Sequence, residues 1–416
     1  MTQRDAHNSD WIGDAVERIQ SFNAGREPER LALKYRKMAA DCFSFFRGSC
    51  HIFYARLAQR YVAHQAPLAW ISGDLHLENF GSYKADNRLV YFDVNDFDEA
   101  ALAPLDWELE RLLASIWIGA EGICTSAAQS RAVCEAFLSA YAQALAGGKA
   151  YWVERETADG PVRALLDGVR DRTRTQYLDA RTEGHGKKRK IRVDGKKALP
   201  ASDAQRTAVA QHMAEFAATQ ADPAFFEVLD VARRIAGTGS LGLERYVVLV
   251  HGKGSPDGNY LLDLKAATPS AVAPCLVGVP DVRQPHWASQ AQRLVTLQQR
   301  SQAVPMAFLQ AVTLGGSDYV LRGLQPSEDR VAIAAGQLGL ADLQALVVTM
   351  GKLVAWAQLR SSGRQGSANA DALVDYGQRT DWQAPLMKAS FAAAQLVRAD
   401  WEAYCKAYAA GAFHGH

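Results

Sequence analysis

The sequence predicts an α+β fold of two lobes, in which acidic loops set among helices come first and a glycine-rich, strand-rich lobe follows. Three observations carry that expectation. Residues 71–81 read ISGDLHLENFG, and a short strand-like run, Leu89–Phe92, then leads into the acids of VYFDVNDFDEA. Residues 235–267 read as a glycine-rich turn, a strand, a Gly/Pro/Asp/Asn loop and a second strand. The flanking segments keep helical spacing, as in HIFYARLAQRYVAH, where Ile52, Phe53, Leu57 and Tyr61 share a face. The expected parts are a helical portion with the acidic loops over 1–225, a β-rich lobe over 226–330, and helices over 331–416 that complete the first lobe.

A chain of 416 residues, 48% hydrophobic and 22% charged, is long enough to bury a large core. Its formal charge of +1 argues against nucleic acid or an anionic membrane as an obligatory partner. Six cysteines at 42, 50, 124, 134, 275 and 405 form no Cys-x-x-Cys pair, so reduced thiols are expected rather than a zinc site or a disulfide framework. MTQRDAHNSDWIGDAVERIQ has no apolar h-region, and the most apolar stretch, LLASIWIGAEGIC, reads as a buried core helix, so a cytoplasmic protein is expected.

The acidic motifs point to phosphoryl transfer. Asp74 and Asn79 stand five apart, as the catalytic Asp and metal-binding Asn do in the kinase catalytic loop. A carboxylate takes the proton of an acceptor hydroxyl, while an amide oxygen and a further carboxylate hold Mg2+ against a triphosphate. Asp96 opens Asp-Phe-Asp, close to the Asp-Phe-Gly whose Asp binds Mg2+. Asp96 is the favoured metal ligand, Asp93 is the next, and Asp98 could reach a second metal.

The rest of an ATP site is expected downstream. Gly237, Gly239 and Gly242 form G-x-G-x-x-G, and the backbone there, including Ser240, would cover phosphates that a Cβ would keep away. Two strands on, Lys265 offers a compact charge for the α and β phosphates. A dinucleotide fold fails, because strand residues rather than a helix follow the glycines. The strand DYVLRGL (318–324) is placed as a hinge along which adenine lies. The helix LADLQALVVTMGKLVAWAQLRSSG is expected to be capped by Asp342 and ended by Gly363. No acid occurs in HWASQAQRLVTLQQRSQ to orient Lys265, which leaves Gln292 or Gln298 as substitutes.

GDLHLENFG resembles the His-Gly-Asp-x-His-x-x-Asn loop of aminoglycoside and choline phosphotransferases, with Ser72 where those usually have His. DFDEAALAPLDWELERLLAS resembles their Asp-Phe-x-x-Ala stretch and following helix. More closely, KMAADCFSFFRG, the two acidic motifs, GTGSLGLERYVVL and LLDLKAA are similar to an uncharacterised bacterial domain family of the protein-kinase-like superfamily. That resemblance spans most of the chain. It implies a kinase-like fold and nucleotide use, with no established substrate, and this family commonly has Glu about where Thr296 stands. It also implies that His76 hydrogen-bonds the catalytic segment, and that Asp106 and Glu108 buttress the loop. The lobe order is rotated relative to a kinase, as in a circular permutation.

The expected function is therefore that of an ATP- and Mg2+-dependent phosphotransferase acting on a small-molecule hydroxyl. The alternatives are a nucleotidyl (AMP) transferase and a nucleotide-binding pseudokinase. A metallophosphoesterase would need further His-rich motifs, and only His414 and His416 lie close together. Two basic features remain. Arg47, beside three aromatics, is suited to an acid or a phosphate. Lys187, Lys188, Arg189, Lys190, Arg192, Lys196 and Lys197 are expected on a solvated hairpin turning at Asp194-Gly195.

Overall fold

The computed structural model describes residues 15–61, 66–185, 188–254, 257–326, 329–333 and 336–413. The first fourteen residues, Lys187, His414 and His416 lie outside the described residues. The fold is mixed α+β, about half helical.

Two short antiparallel ladders hold the acidic loops. The outer one joins β1 (Leu68–Ile71) to β4 (Ala101–Pro104), and the inner one joins β2 (Phe80–Lys84) to β3 (Val90–Val94). Residues 72–79 connect β1 to β2, and residues 95–100 connect β3 to β4. Ile71 pairs with Ala101 at one end and Phe80 with Val94 at the other, so the two connections must run side by side. A hydrogen bond of 3.1 Å from Asn95 N to Asn79 O closes the inner end.

Next in the chain come a two-stranded pair, β5 (Thr182–Glu183) with β6 (Lys190–Ile191), and then a six-stranded antiparallel sheet. Its strands are β7 (Ala198–Pro200), β8 (Val228–Arg234), β9 (Arg245–Val250), β10 (Tyr260–Ala266), β11 (Gln310–Leu314) and β12 (Ser317–Gly323), in the order β11-β12-β10-β9-β8-β7. The sheet thus draws its edge strand β7 from upstream of residue 226. Alternation along the strands sorts the side chains. Tyr246, Val248, Leu262, Leu264 and Leu321 face the helix Asp203–Ala217, whose Val209 and Met213 complete that core. On the other face, Ala232, Val247, Leu249 and Leu261 pack on Leu178 and Ile191.

The helical core is built around Leu105–Gly119, where every residue from Leu105 to Ile118 is buried. A helix apolar all round belongs in a core, as LLASIWIGAEGIC predicts. Its charged residues are buried too, and each has a partner: Tyr61 for Asp106, Ser72 and Gln358 for Glu108, Arg60 for Glu110 and Asp74 for Arg111. The helix Leu340–Arg360 is long and apolar enough to cross a membrane, and 56% of that stretch is buried inside the fold. Its N-cap is Gly339 with no side-chain cap, so Asp342 lies in the first turn and does not cap it. The helix stops at Arg360, before Gly363.

The basic run differs in part from its expectation. Asp194 Oδ1 accepts from the amides of Lys196, Lys197 and Ala198 and so makes the turn. The strands flanking that turn pair elsewhere, β6 with β5 and β7 with β8. Arg189 is buried, with its guanidinium on Asp179 and Asp257.

Candidate functional site

The loop after β1 is tied at every residue that matters. Gly73 has φ +85°, and a Cβ there would lie 2.2 Å from Glu99 O, so the turn excludes any side chain. Glu108 Oε1 accepts from Ser72 N and Ser72 Oγ at 2.6 and 2.7 Å, which makes it a buttress of the loop. Asp106 meets Tyr61 instead. His76 Nδ1 accepts from Glu78 N at 3.1 Å and caps the short turn Leu77–Asn79. Burial, with Arg47, Arg111 and Arg330 nearby, holds this imidazole well below its ordinary pKa, so it is neutral. It hydrogen-bonds the backbone of the segment that holds Asp74 and Asn79.

Asp74 is gripped on one side only. Arg111, fully buried, donates from Nε at 2.9 Å and from Nη2 to Oδ1 alone. Oδ2 takes no hydrogen bond among the described residues and faces a cavity. Burial raises the Asp74 pKa, opposed by Arg111. Asn79 spends its amide nitrogen on Asp74 O at 2.5 Å, which leaves the amide oxygen as the acceptor in the same cavity.

The acids after β3 separate by position. Asp96 lines the cavity. Burial pushes its pKa up, but Lys265, Arg322 and Arg245 outweigh that and hold it below the ordinary carboxylate value. Asp98 pairs with Lys265 Nζ. The partner of Lys265 is therefore an acid of the Asp-Phe-Asp triplet, while Gln292 accepts from Ala288 N and Gln298 donates to Gln302. Asp93 is not at the site. It is buried in the ladder opposite Gly81, where Val94 N, Ala303 N and Arg360 surround it, so it serves the structure there. It does not line the cavity that Asp96 lines.

The glycine-rich loop closes the same cavity from above. Gly237, Thr238, Gly239 and Ser240 line it, with Arg26, Arg47, Glu99 and Arg330. A Cβ on Gly239 would stand 3.2 Å from Arg47 O and 3.8 Å from Asp74 Oδ2, so the loop tip rests directly over the Asp74 carboxylate. Gly242 lies outside, packed on Arg26 and bonded through its carbonyl to Glu27 N at 2.9 Å. Arg26 Nη1 donates to Gly239 O and Leu241 O at 2.6 and 3.0 Å, and Lys34 Nζ donates to Gly239 O at 3.0 Å. The loop is thus pinned down by cations from the N-terminal helices. The cavity beneath it measures about 40 Å³, which is room for water and not for a nucleotide. A triphosphate could enter only with the loop lifted.

Beyond Lys265, the inner face of the sheet carries charge. Register places Asp263 opposite Arg322 and Lys265 opposite Arg245. Asp263 is fully buried and takes Arg234, Arg245 and Arg322 at 2.8, 2.7 and 3.2 Å. The face of β12 that carries Arg322 is therefore lined by guanidinium groups gathered on Asp263.

Four residues at the site are not singled out by the sequence alone. Arg330 lies in ordinary loop sequence and Arg26 is distant in the chain. Glu99 and Arg111 fall within DFDEAALAPLDWELERLLAS, which is the one available signal. Burial, reinforced by the Asp74 and Asp98 carboxylates, pushes Glu99 up to about 7. Between its ordinary 4.5 and about 7 the native state holds a proton that the unfolded state has lost, so stability falls as pH rises through that window. Glu99→Gln removes the cost. It is expected to stabilise the chain by roughly 1–3 kcal/mol at pH 8 and hardly at all at pH 4.5, read from urea midpoints. An equal effect at both pH values would rule out this titration. Arg47 pairs with Glu78.

Among the described residues, no group of three or more His, Cys, Asp or Glu forms a ready metal site. Asn79 and Asp96 therefore supply an incomplete set, one that suits a cation whose remaining ligands come from phosphate oxygens and water.

Comparison with curated proteins and with solved structures gives no match. A family model does match, over residues 26–407, and so covers both acidic loops, the glycine-rich loop and Lys265. The chain therefore belongs to DUF2252, a family described as an uncharacterized protein conserved in bacteria.

Proposed function

We propose that this chain is an ATP- and Mg2+-dependent phosphotransferase with a rearranged, kinase-like pair of lobes, acting in the cytoplasm on a small-molecule hydroxyl. The observation that carries the reading is the meeting of Asp74, Asn79 and Asp96 with Gly237, Gly239 and Ser240 around one cavity, although a long stretch of sequence separates the two groups. In this reading the acceptor oxygen attacks the γ-phosphorus, the bond to the departing ADP oxygen breaks, and the acceptor proton passes to Asp74 Oδ2. Asn79 and Asp96 would hold Mg2+, which would supply positive charge beside the phosphates. Lys265 would turn from Asp98 to the nucleotide phosphates, and Arg26 would release the loop carbonyls to admit them. Positioning and electrostatics supply most of the acceleration. The balanced overall charge supports a function without obligatory nucleic acid or membrane.

One observation favours a second reading. Arg245 and Arg322, paired with Asp263, lie near enough to Asp96 to lower its pKa, and positive charge on that side suits a triphosphate lying inward and therefore transfer of AMP with release of pyrophosphate. A pseudokinase reading draws on the pinned loop and the Lys265–Asp98 pair. Calorimetry with ATP, with and without Mg2+, on the natural chain and on Lys265→Ala tests the common core. Metal-dependent binding that weakens at least tenfold in the variant is expected, and ADP or pyrophosphate as product then separates transfer of phosphate from transfer of AMP. Absence of ATP binding in the natural chain would overturn both transferase readings.

A further inference from the structure

A second cavity, of about 330 Å³, lies between the β2–β3 turn, the helix Arg174–Asp179 and the segment Gly323–Pro326 that leaves β12. It shares no lining residue with the cavity at Asp74 and is independent of the function proposed above. Its size falls at the lower end of the range for small-molecule sites, about 300–1,000 Å³.

Two features make it a built site. First, Arg88 and Phe308 in the wall have φ +73° and +63°. A bulky aromatic in the left-handed region is an outlier of the kind that collects at ligand clamps. Second, the wall combines flat aromatic surface with positive charge. Phe308 meets Tyr260 edge-on with centroids 5.6 Å apart, and the Arg174 guanidinium lies 3.8 Å from the centre of the Tyr260 ring. Lys84 and Arg88 stand exposed in the lining, against one exposed acid, Asp86, while the buried Asp329 is already paired with Arg172.

We propose that this cavity binds a planar heteroaromatic anion of nucleoside monophosphate size. The ring lies against Tyr260 and Phe308, and the phosphate meets Arg88 and Lys84. The floor couples the site to the fold. Tyr177 Oη donates to Leu324 O at 2.9 Å, and Gln325 Nε2 donates to Ser82 O at 2.6 Å, so a ligand here stiffens the connection between the sheet and the C-terminal helices.

The test is calorimetry of the full chain with AMP, comparing the natural protein, Lys265→Ala, and the double variant Lys84→Ala/Arg88→Gly. Both substituted positions of the double variant are exposed, and glycine suits the positive φ at 88. AMP is expected to bind the natural protein and Lys265→Ala alike and the double variant at least tenfold more weakly, with inorganic phosphate a far poorer ligand. Failure of AMP to bind at millimolar concentration would overturn the proposal. So would affinity lost in Lys265→Ala, affinity kept in the double variant, or phosphate binding as well as AMP. AMP affinity lost in Lys265→Ala would place AMP beneath the glycine-rich loop and so support nucleotide binding there while overturning this proposal, whereas the other outcomes leave that reading to the calorimetry with ATP.

Discussion

Asp74→Asn is expected to lower turnover by about three orders of magnitude or more while leaving the affinity for Mg-ATP within about threefold of the natural chain. The asymmetry of the carboxylate is the reason. Arg111 engages only Oδ1, and the cavity-facing Oδ2 lies beneath Gly239 where an acceptor hydroxyl would meet the γ-phosphate. Asparagine keeps the size and can keep an oxygen toward Arg111, but it cannot take a proton. Phosphate and metal contacts, assigned to Asn79, Asp96, Lys265 and the loop, are untouched. Turnover measured by product formation and affinity measured by calorimetry separate the two quantities. Retained turnover would remove Asp74 as the base, and a parallel loss of ATP affinity would make it a ligand of the metal or the nucleotide.

Asp263→Asn is expected to have the largest effect on stability, a loss of roughly 3–5 kcal/mol. Asp263 is the fully buried acid that Arg234, Arg245 and Arg322 share, and its carboxyl is held well below the usual range by those guanidiniums once their attraction overcomes burial. Neutralising it leaves three cations on the inner face of β8, β9 and β12 without their common partner. Urea midpoints of the natural chain and the variant report the loss. Adding Arg322→Gln to Asp263→Asn should recover part of it, because one of the stranded charges is then gone. A midpoint unchanged by Asp263→Asn would mean that solvent reaches the cluster and screens it.

The local chemistry of the site was legible because each piece is a short run with its own physical logic. GDLHLENFG carries its carboxylate, capping His and Asn within one turn of chain, and the strand before Asp96 declares itself by β-branched and aromatic residues. The glycine-rich turn and the strand bearing Lys265 are read in the same way. Among the acids, the Asp-Phe-Gly likeness favours Asp96, then Asp93, with Asp98 for a second metal, and composition does not separate their surroundings. The β2–β3 register puts Asp93 opposite Gly81 and on Arg360, while Asp96 lines the cavity and Asp98 meets Lys265.

The sequence by itself determined the helices, the strands, the order of the motifs and the residue types that can move a proton or hold a cation, since those depend on neighbours a few residues away. Tertiary structure alone decided which charges meet. Arg111 reaches Asp74 from a core helix, Arg26 and Lys34 pin a loop more than two hundred residues downstream, and three arginines from separate strands converge on Asp263. Burial is the physical reason. A charge removed from water must find its partner wherever the fold brings one, and spacing along the chain carries no record of that partner.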